Sequence, residues 1–201
     1  MAKTPVAKIP VAKARPASKA ARGFALRALG TAARPLRILG IDPGTLRLGY
    51  GIVDHVAPGR TVYVDCGVIT AAASQPREVR LFTIGQDLRE LLAEVRPDVV
   101  AMEQAFFGKN VQATLALGEA RGVALFVAQE QGVALAGYPP AQVKQIVTGQ
   151  GAAAKSQVGF FVKALLGLRR APEADAADAL AIALCHARLL GARRALAKGT
   201  S

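Results

Sequence analysis

The sequence predicts a single α/β domain built on a mixed β-sheet. Three β-rich segments open the ordered part of the chain, and helical and strand patterns then alternate to its end. Hydrophobic residues make up 52% of the 201 residues, which is enough for one packed core. The length leaves no room for two large domains. We expect the domain to span residues 36–190, between basic tails at 1–35 and 191–201.

The first three predicted strands form an antiparallel meander. Residues 36–42 are a short apolar run that ends on a carboxylate, as a buried strand would. Two β-rich segments at 49–54 and 61–69 follow, and the Pro58-Gly59 pair between them is typical of a turn. Because this connection is short, we expect the two strands to pair side by side and antiparallel.

Helices and strands alternate in the rest of the domain. Apolar side chains recur at helical spacing over residues 77–96, and Pro97 ends that helix. A short apolar strand at 99–102 again stops at a carboxylate, that of Glu103. The remaining predicted elements are a helix at 110–130, a strand at 133–136 and helices at 141–147, 155–166 and 173–190. The result is a mixed five-stranded sheet flanked by helices.

Four carboxylates stand at the ends of predicted elements. Asp42 and Glu103 each follow an apolar strand, whereas Asp175 and Asp178 are three residues apart and share one face of the last helix. Carboxylates that converge without a cation repel one another and raise their own pKa values, and a divalent metal removes that conflict. Oxygen ligands favour Mg²⁺, with Mn²⁺ as a substitute. Two such ions about 4 Å apart suit phosphodiester cleavage. Taken singly, each acid also fits a helix cap or a solvated charge.

The net charge of +12 lies mainly at the two ends of the chain. Residues 1–35 carry eight Lys or Arg and residues 179–201 carry four, and neither segment has an acid. Because Pro, Ala and Lys cannot bury a core, we expect residues 1–35 to be a disordered tail, used for non-specific DNA binding or as a transit peptide. Inside the domain, residues 104–172 have seven basic and two acidic side chains. That basic region fits phosphate binding or ordinary surface variation.

The sequence argues against a membrane protein. No run of 18 apolar residues is present, so we expect no membrane partner. Cys66 and Cys185 lack metal-ligand spacing and fit the buried, reduced thiols of a cytoplasmic protein.

The motifs around the four acids resemble those of the RuvC family of Holliday-junction resolvases. The resemblance spans about residues 36–190. It rests on GIDPGT at 40–45 with GYG at 49–51, EQAFF at 103–107, VKQ at 143–145 with KSQV at 155–158, and DAADALA at 175–181. Actin-like proteins and acetate kinase share the first motif, so the four motifs in order carry the specificity. The resemblance implies an RNase H-like fold and a homodimer that resolves four-way DNA junctions by paired symmetric nicks.

The resemblance also implies roles for single residues and partners. Asp42, Glu103, Asp175 and Asp178 would be the catalytic acids that bind two Mg²⁺ ions, and Asp175 is the least fixed because some members have histidine there. The DNA contacts would be Phe106, which would insert at the junction centre, and Lys109, Lys144 and Lys155. RuvA and RuvB, the branch-migration proteins, would be partners.

Several alternatives stay open at this point. Phe106 also fits a core position beside Phe107, and the lysines also fit a solvated surface. Gly118 and Gly122, four apart in the long helix, mark either the dimer contact or packing on the domain's own sheet. A related nuclease acting on structured RNA would keep the same acids. An actin-like phosphotransferase would need a second large domain, and a non-catalytic DNA-binding protein would not need four acids at element ends.

Overall fold

The computed structural model describes residues 34–104 and 110–198, and these residues form one five-stranded sheet with helices on both faces. The strand order is β3-β2-β1-β4-β5. The strands are β1 Leu36–Asp42, β2 Arg47–Ala57, β3 Arg60–Thr70, β4 Val99–Glu103 and β5 Ala134–Tyr138. The first three pair antiparallel, whereas β1, β4 and β5 run parallel, so the predicted mixed sheet is confirmed.

Five helices accompany the sheet in the described residues. They are α1 Arg77–Val95, α2 Val111–Glu130, α3 Pro140–Thr148, α4 Lys155–Leu165 and α5 Ala174–Lys198. The main difference from the prediction is α5, which was expected to end at residue 190 and continues to Lys198. The residues beyond Gly191 are mostly Ala, Leu, Arg and Lys, which are strong helix formers, so one glycine does not end the helix. The predicted C-terminal tail at 191–201 therefore begins as helix.

Alternation along the strands sends two hydrophobic clusters to opposite faces of the sheet. In β1, Ile38 belongs to the cluster under α3, α4 and α5, whereas Leu39 and Ile41 belong to the cluster under α1 and α2. Gly40 and Asp42 have the parity of Ile38 and so face α5. In the same way, Glu103 shares the parity of Val99 and Ala101, which lie in the α5 cluster. The strand period thus directs both strand-end acids to one face.

Three of the predictions concern residues outside the described ranges. Phe106 and Lys109 lie outside them, as does the predicted tail up to residue 33. Arg34, just before β1, donates a hydrogen bond to Asp98.

One described helix, α2, passes a length and composition test for a membrane span. It has 20 residues, and 22% of its most apolar stretch is buried. Apolar helices that pack against protein have the same length and composition, so these two properties alone do not identify α2 as a membrane span.

Candidate active site

The two strand-end acids meet at one edge of the sheet. β1 and β4 are parallel neighbours in which Ile41 pairs with Met102, so the next residues along, Asp42 and Glu103, leave the sheet side by side. Both side chains are half-buried. Carboxyl ends of adjacent parallel strands are where α/β sheets commonly place their sites.

Two glycines bring the acids of α5 to the same edge. A Cβ atom at Gly40 would stand 2.0 Å from the carbonyl oxygen of Ala179, and one at Gly49 would stand 2.1 Å from that of Asp175. No side chain fits in such gaps, so the backbone of α5 lies directly on β1 and β2. Asp175 and Asp178 therefore start the helix beside the ends of the strands. Gly40 and Gly49, two glycines of the sequence motifs, thus have a physical role: they let the backbone of α5 approach the sheet.

Three of the four predicted acids line a single cleft. Its volume is about 210 Å³, and its lining residues are Asp42, Glu103, Asp178, Lys144, Lys155, Pro140, Val143, Val158 and Ala181. A larger cleft of about 430 Å³ lies around Arg96 and Asp98, near the other end of β4, and has only one acid in its lining. The smaller cleft is therefore the candidate active site, because three acids and two lysines converge there.

Burial and repulsion between carboxylates raise the pKa values of the two strand-end acids. Burial, followed by the charges of Asp178 and Glu103, raises the pKa of Asp42 to about 7. Burial and the charge of Asp178 also raise the pKa of Glu103 above its ordinary value, although Lys155 and Lys144 oppose that shift. Because a metal ligand must be deprotonated, protons compete with a cation here. We therefore expect divalent-ion affinity to rise as the pH increases through about 7.

Cations of the protein engage two of the four carboxylates. The Lys155 ammonium donates to Oδ2 of Asp178 at 2.9 Å, and this contact helps to raise the pKa of Lys155. The Arg47 guanidinium donates through Nε to Oδ2 of Asp175 at 2.6 Å. Among the described residues, no three His, Cys, Asp or Glu side chains already form a metal cage. The donor set nevertheless fits a hard divalent ion, since all four groups are carboxylates.

The cleft brings together five of the eight residues predicted for the site. Asp42, Glu103, Asp178, Lys144 and Lys155 share the cleft. Asp175 is outside its lining but close enough for its charge to act on Asp42. The roles of these residues stay predictions.

Sequence reasoning missed Arg47. It shares strand parity with Gly49, which faces α5, and that parity is the one signal that could have identified it.

Comparisons with known proteins identify the family. The model of the family described as crossover junction endodeoxyribonuclease RuvC matches residues 38–186. The crossover junction endodeoxyribonuclease RuvC of Halorhodospira halophila is 50% identical over 151 residues, which are 75% of this chain and 89% of that protein. Its counterpart in Geobacter metallireducens is 45% identical over 161 residues, 80% of this chain and 98% of the relative.

Solved structures agree with this match. Thermus thermophilus RuvC, in complex with Holliday junction substrate, aligns with a TM-score of 0.73 and 37% identity, over 79% of this chain and 96% of that one. The yeast mitochondrial Holliday junction resolvase Ydc2 shares the fold alone, with a TM-score of 0.54 at 15% identity. The predicted RNase H-like fold is confirmed by these neighbours. Family model, relatives and fold agree, and the chain belongs to the RuvC family of crossover junction endodeoxyribonucleases.

Proposed function

We propose that this chain is a Holliday-junction resolvase, which binds a four-way DNA junction as a homodimer and nicks two strands of like polarity. The observation that supports this proposal is the meeting of three carboxylates and two lysines in one cleft. Acids provide ligands for cations, and lysines provide contacts for phosphate. Membership of the RuvC family supports the junction as the substrate.

Asp42, Glu103 and Asp178 would hold a divalent ion, and Asp175 would complete a second site beside Asp42. We propose Mg²⁺ as the ion, with Mn²⁺ as a substitute, because all four ligands are carboxylates. Bound ions would activate water and stabilise the leaving oxygen of the phosphodiester.

Lys155 and Lys144 would position the scissile phosphate in this scheme. The Lys155 side chain is 78% exposed even while its ammonium touches Asp178, so a phosphate can reach it from solvent. Lys144 lines the same cleft, and its charge acts on Glu103. Each lysine thus offers a cation beside the acids, where an incoming phosphate would otherwise be repelled.

The dimer contact would lie on an apolar stripe of α2. The stripe consists of residues spaced four, three, four and four apart, hence on one helix face: Val111, Leu115, Gly118, Gly122 and Phe126. Phe126 is 64% exposed and Leu115 61%. A Cβ atom at Gly118 or Gly122 would meet nothing described within 4 Å, so the alternative that these glycines pack on the domain's own sheet is wrong. A second copy, related by a two-fold axis, would cover this stripe.

Phe126→Glu is expected to turn the dimer into a monomer, because it buries an unpaired charge in the proposed contact. Sedimentation velocity at micromolar concentration measures the change. Phe160→Glu is the matched control, since Phe160 is 68% exposed but lies on α4. A Phe126→Glu protein that sediments like wild type would place the contact elsewhere.

A nicking assay tests the proposed function as a whole. The substrate is a mobile four-way DNA junction, assayed with and without MgCl₂, beside a structured RNA of equal length. We expect paired nicks in the junction that depend on Mg²⁺, and an intact RNA. Cleavage of the RNA alone would favour the related nuclease class, and nicking that persists in EDTA would refute the metal site.

The proposal also includes further DNA contacts and protein partners. Phe106 would insert at the junction centre, and Lys109 would contact the DNA beside it. The basic residues 1–35 would add non-specific duplex affinity. RuvA and RuvB would be the partners, in the cytoplasm.

A further inference from the structure

Arg47 links the start of β2 to the first turn of α5. Its Nε donates to Asp175 Oδ2 at 2.6 Å, and a terminal nitrogen donates to Glu173 Oε2 at 2.7 Å. Gly49, two residues further along β2, brings the strand against the backbone of Asp175. The guanidinium is therefore held beside Asp175 by the same close packing that brings the helix to the sheet.

The contact occupies an oxygen that a metal would need. Asp175 has two carboxylate oxygens, and Oδ2 is already within hydrogen-bond distance of a full positive charge. A divalent ion at this carboxylate would lose that oxygen to Arg47 or stand a few ångströms from its guanidinium. Like charges at that separation repel, so ion and arginine compete for Asp175.

Arg47 also differs from Lys155, the other cation that contacts one of the four acids. Lys155 belongs to the lining of the cleft, whereas Arg47 lies outside it and approaches Asp175 from the β2 side. Its side chain is 48% exposed, so it can turn away into solvent when an ion arrives. Glu173, which is 71% exposed, provides a carboxylate that can keep the guanidinium nearby after it leaves Asp175.

We propose that Arg47 is a positioning residue that competes with the divalent ion for Asp175 and so weakens metal binding at that side of the site. The inference rests on the proposed function, since it assumes that Asp175 is a metal ligand. It adds a restraint on that site: the fourth carboxylate binds metal against the charge of an arginine that already contacts it.

Isothermal titration of the DNA-free full chain with MnCl₂ tests the proposal. Removing one unit charge beside a divalent ion is worth about tenfold in affinity at a water-like dielectric. Arg47→Ala and Arg47→Gln are therefore expected to bind Mn²⁺ about tenfold more tightly than wild type. Arg47→Lys keeps the charge and should bind as wild type does.

Two controls separate the possible failures. Arg77→Ala removes the same charge from an ion pair with Glu119, outside the cleft, and should leave Mn²⁺ affinity unchanged. Asp42→Asn should weaken Mn²⁺ binding. Arg47→Gln with wild-type affinity, in a protein whose melting curve shows that it is folded, would overturn the role of Arg47 while the metal site stands. Equal Mn²⁺ binding by wild type and Asp42→Asn would refute the metal site itself.

Discussion

Asp42→Asn is expected to reduce junction cleavage by about a thousandfold while junction binding stays near wild type, because the change would remove an anionic ligand of the proposed metal site rather than a phosphate contact. Asp42 is the centre of the acidic cluster, since the charges of Asp178, Glu103 and Asp175 all act on its pKa. Asparagine keeps the size of the side chain and loses the anionic ligand. Single-turnover nicking and gel-shift binding in EDTA measure the two effects.

Substitution of the other acids should reduce cleavage most for those that line the cleft and less for Asp175, which lies outside its lining. Glu103→Gln and Asp178→Asn are expected to match Asp42→Asn, whereas Asp175→Asn should keep residual activity. Asp65→Asn is the control, because Asp65 is a half-buried acid of the same sheet that lies outside the cleft. Wild-type cleavage by Asp42→Asn would show that the cleft is not the active site.

The positions of the two strand-end acids, Asp42 and Glu103, could be predicted from the sequence alone. β1 and β4 are short apolar runs next to a carboxylate, and their parallel pairing puts Asp42 and Glu103 at one edge. Local pattern suffices there because the period of a strand fixes which face a side chain takes. Turn and helix-end signals are local in the same way: Pro97 was predicted to end the first helix, and α1 ends at Val95.

Contacts between distant segments could not be predicted. Arg47 and Asp175 are 128 residues apart, and nothing in the neighbourhood of either residue specifies the other. Their contact depends on how closely α5 lies on the sheet, which is a property of tertiary packing. The predicted end of α5 was wrong for a different reason: the residues after Gly191 are helix formers, and the helix continues through that glycine to Lys198.

Gly40→Ala is expected to cost about 3 kcal/mol of folding free energy, at the upper end of the usual range for overpacking. The new Cβ would stand 2.0 Å from the carbonyl oxygen of Ala179 and 2.9 Å from the amide nitrogen of Ala183. Both are backbone atoms in the middle of α5, so no side chain can rotate away and the helix itself must move. Chemical denaturation measures the loss.

The same displacement should also impair catalysis, because α5 carries Asp178. A shift of about 1 Å in a positioned group can cost a hundredfold in rate, so cleavage by the folded fraction of Gly40→Ala should fall by about that factor. Gly159→Ala is the control: its Cβ would meet nothing described within 4 Å, and alanine in the middle of α4 should be neutral or stabilising by about 1 kcal/mol. If Gly40→Ala were as stable and active as wild type, α5 could move off the sheet without harm, and close packing would not be what places Asp178 beside Asp42.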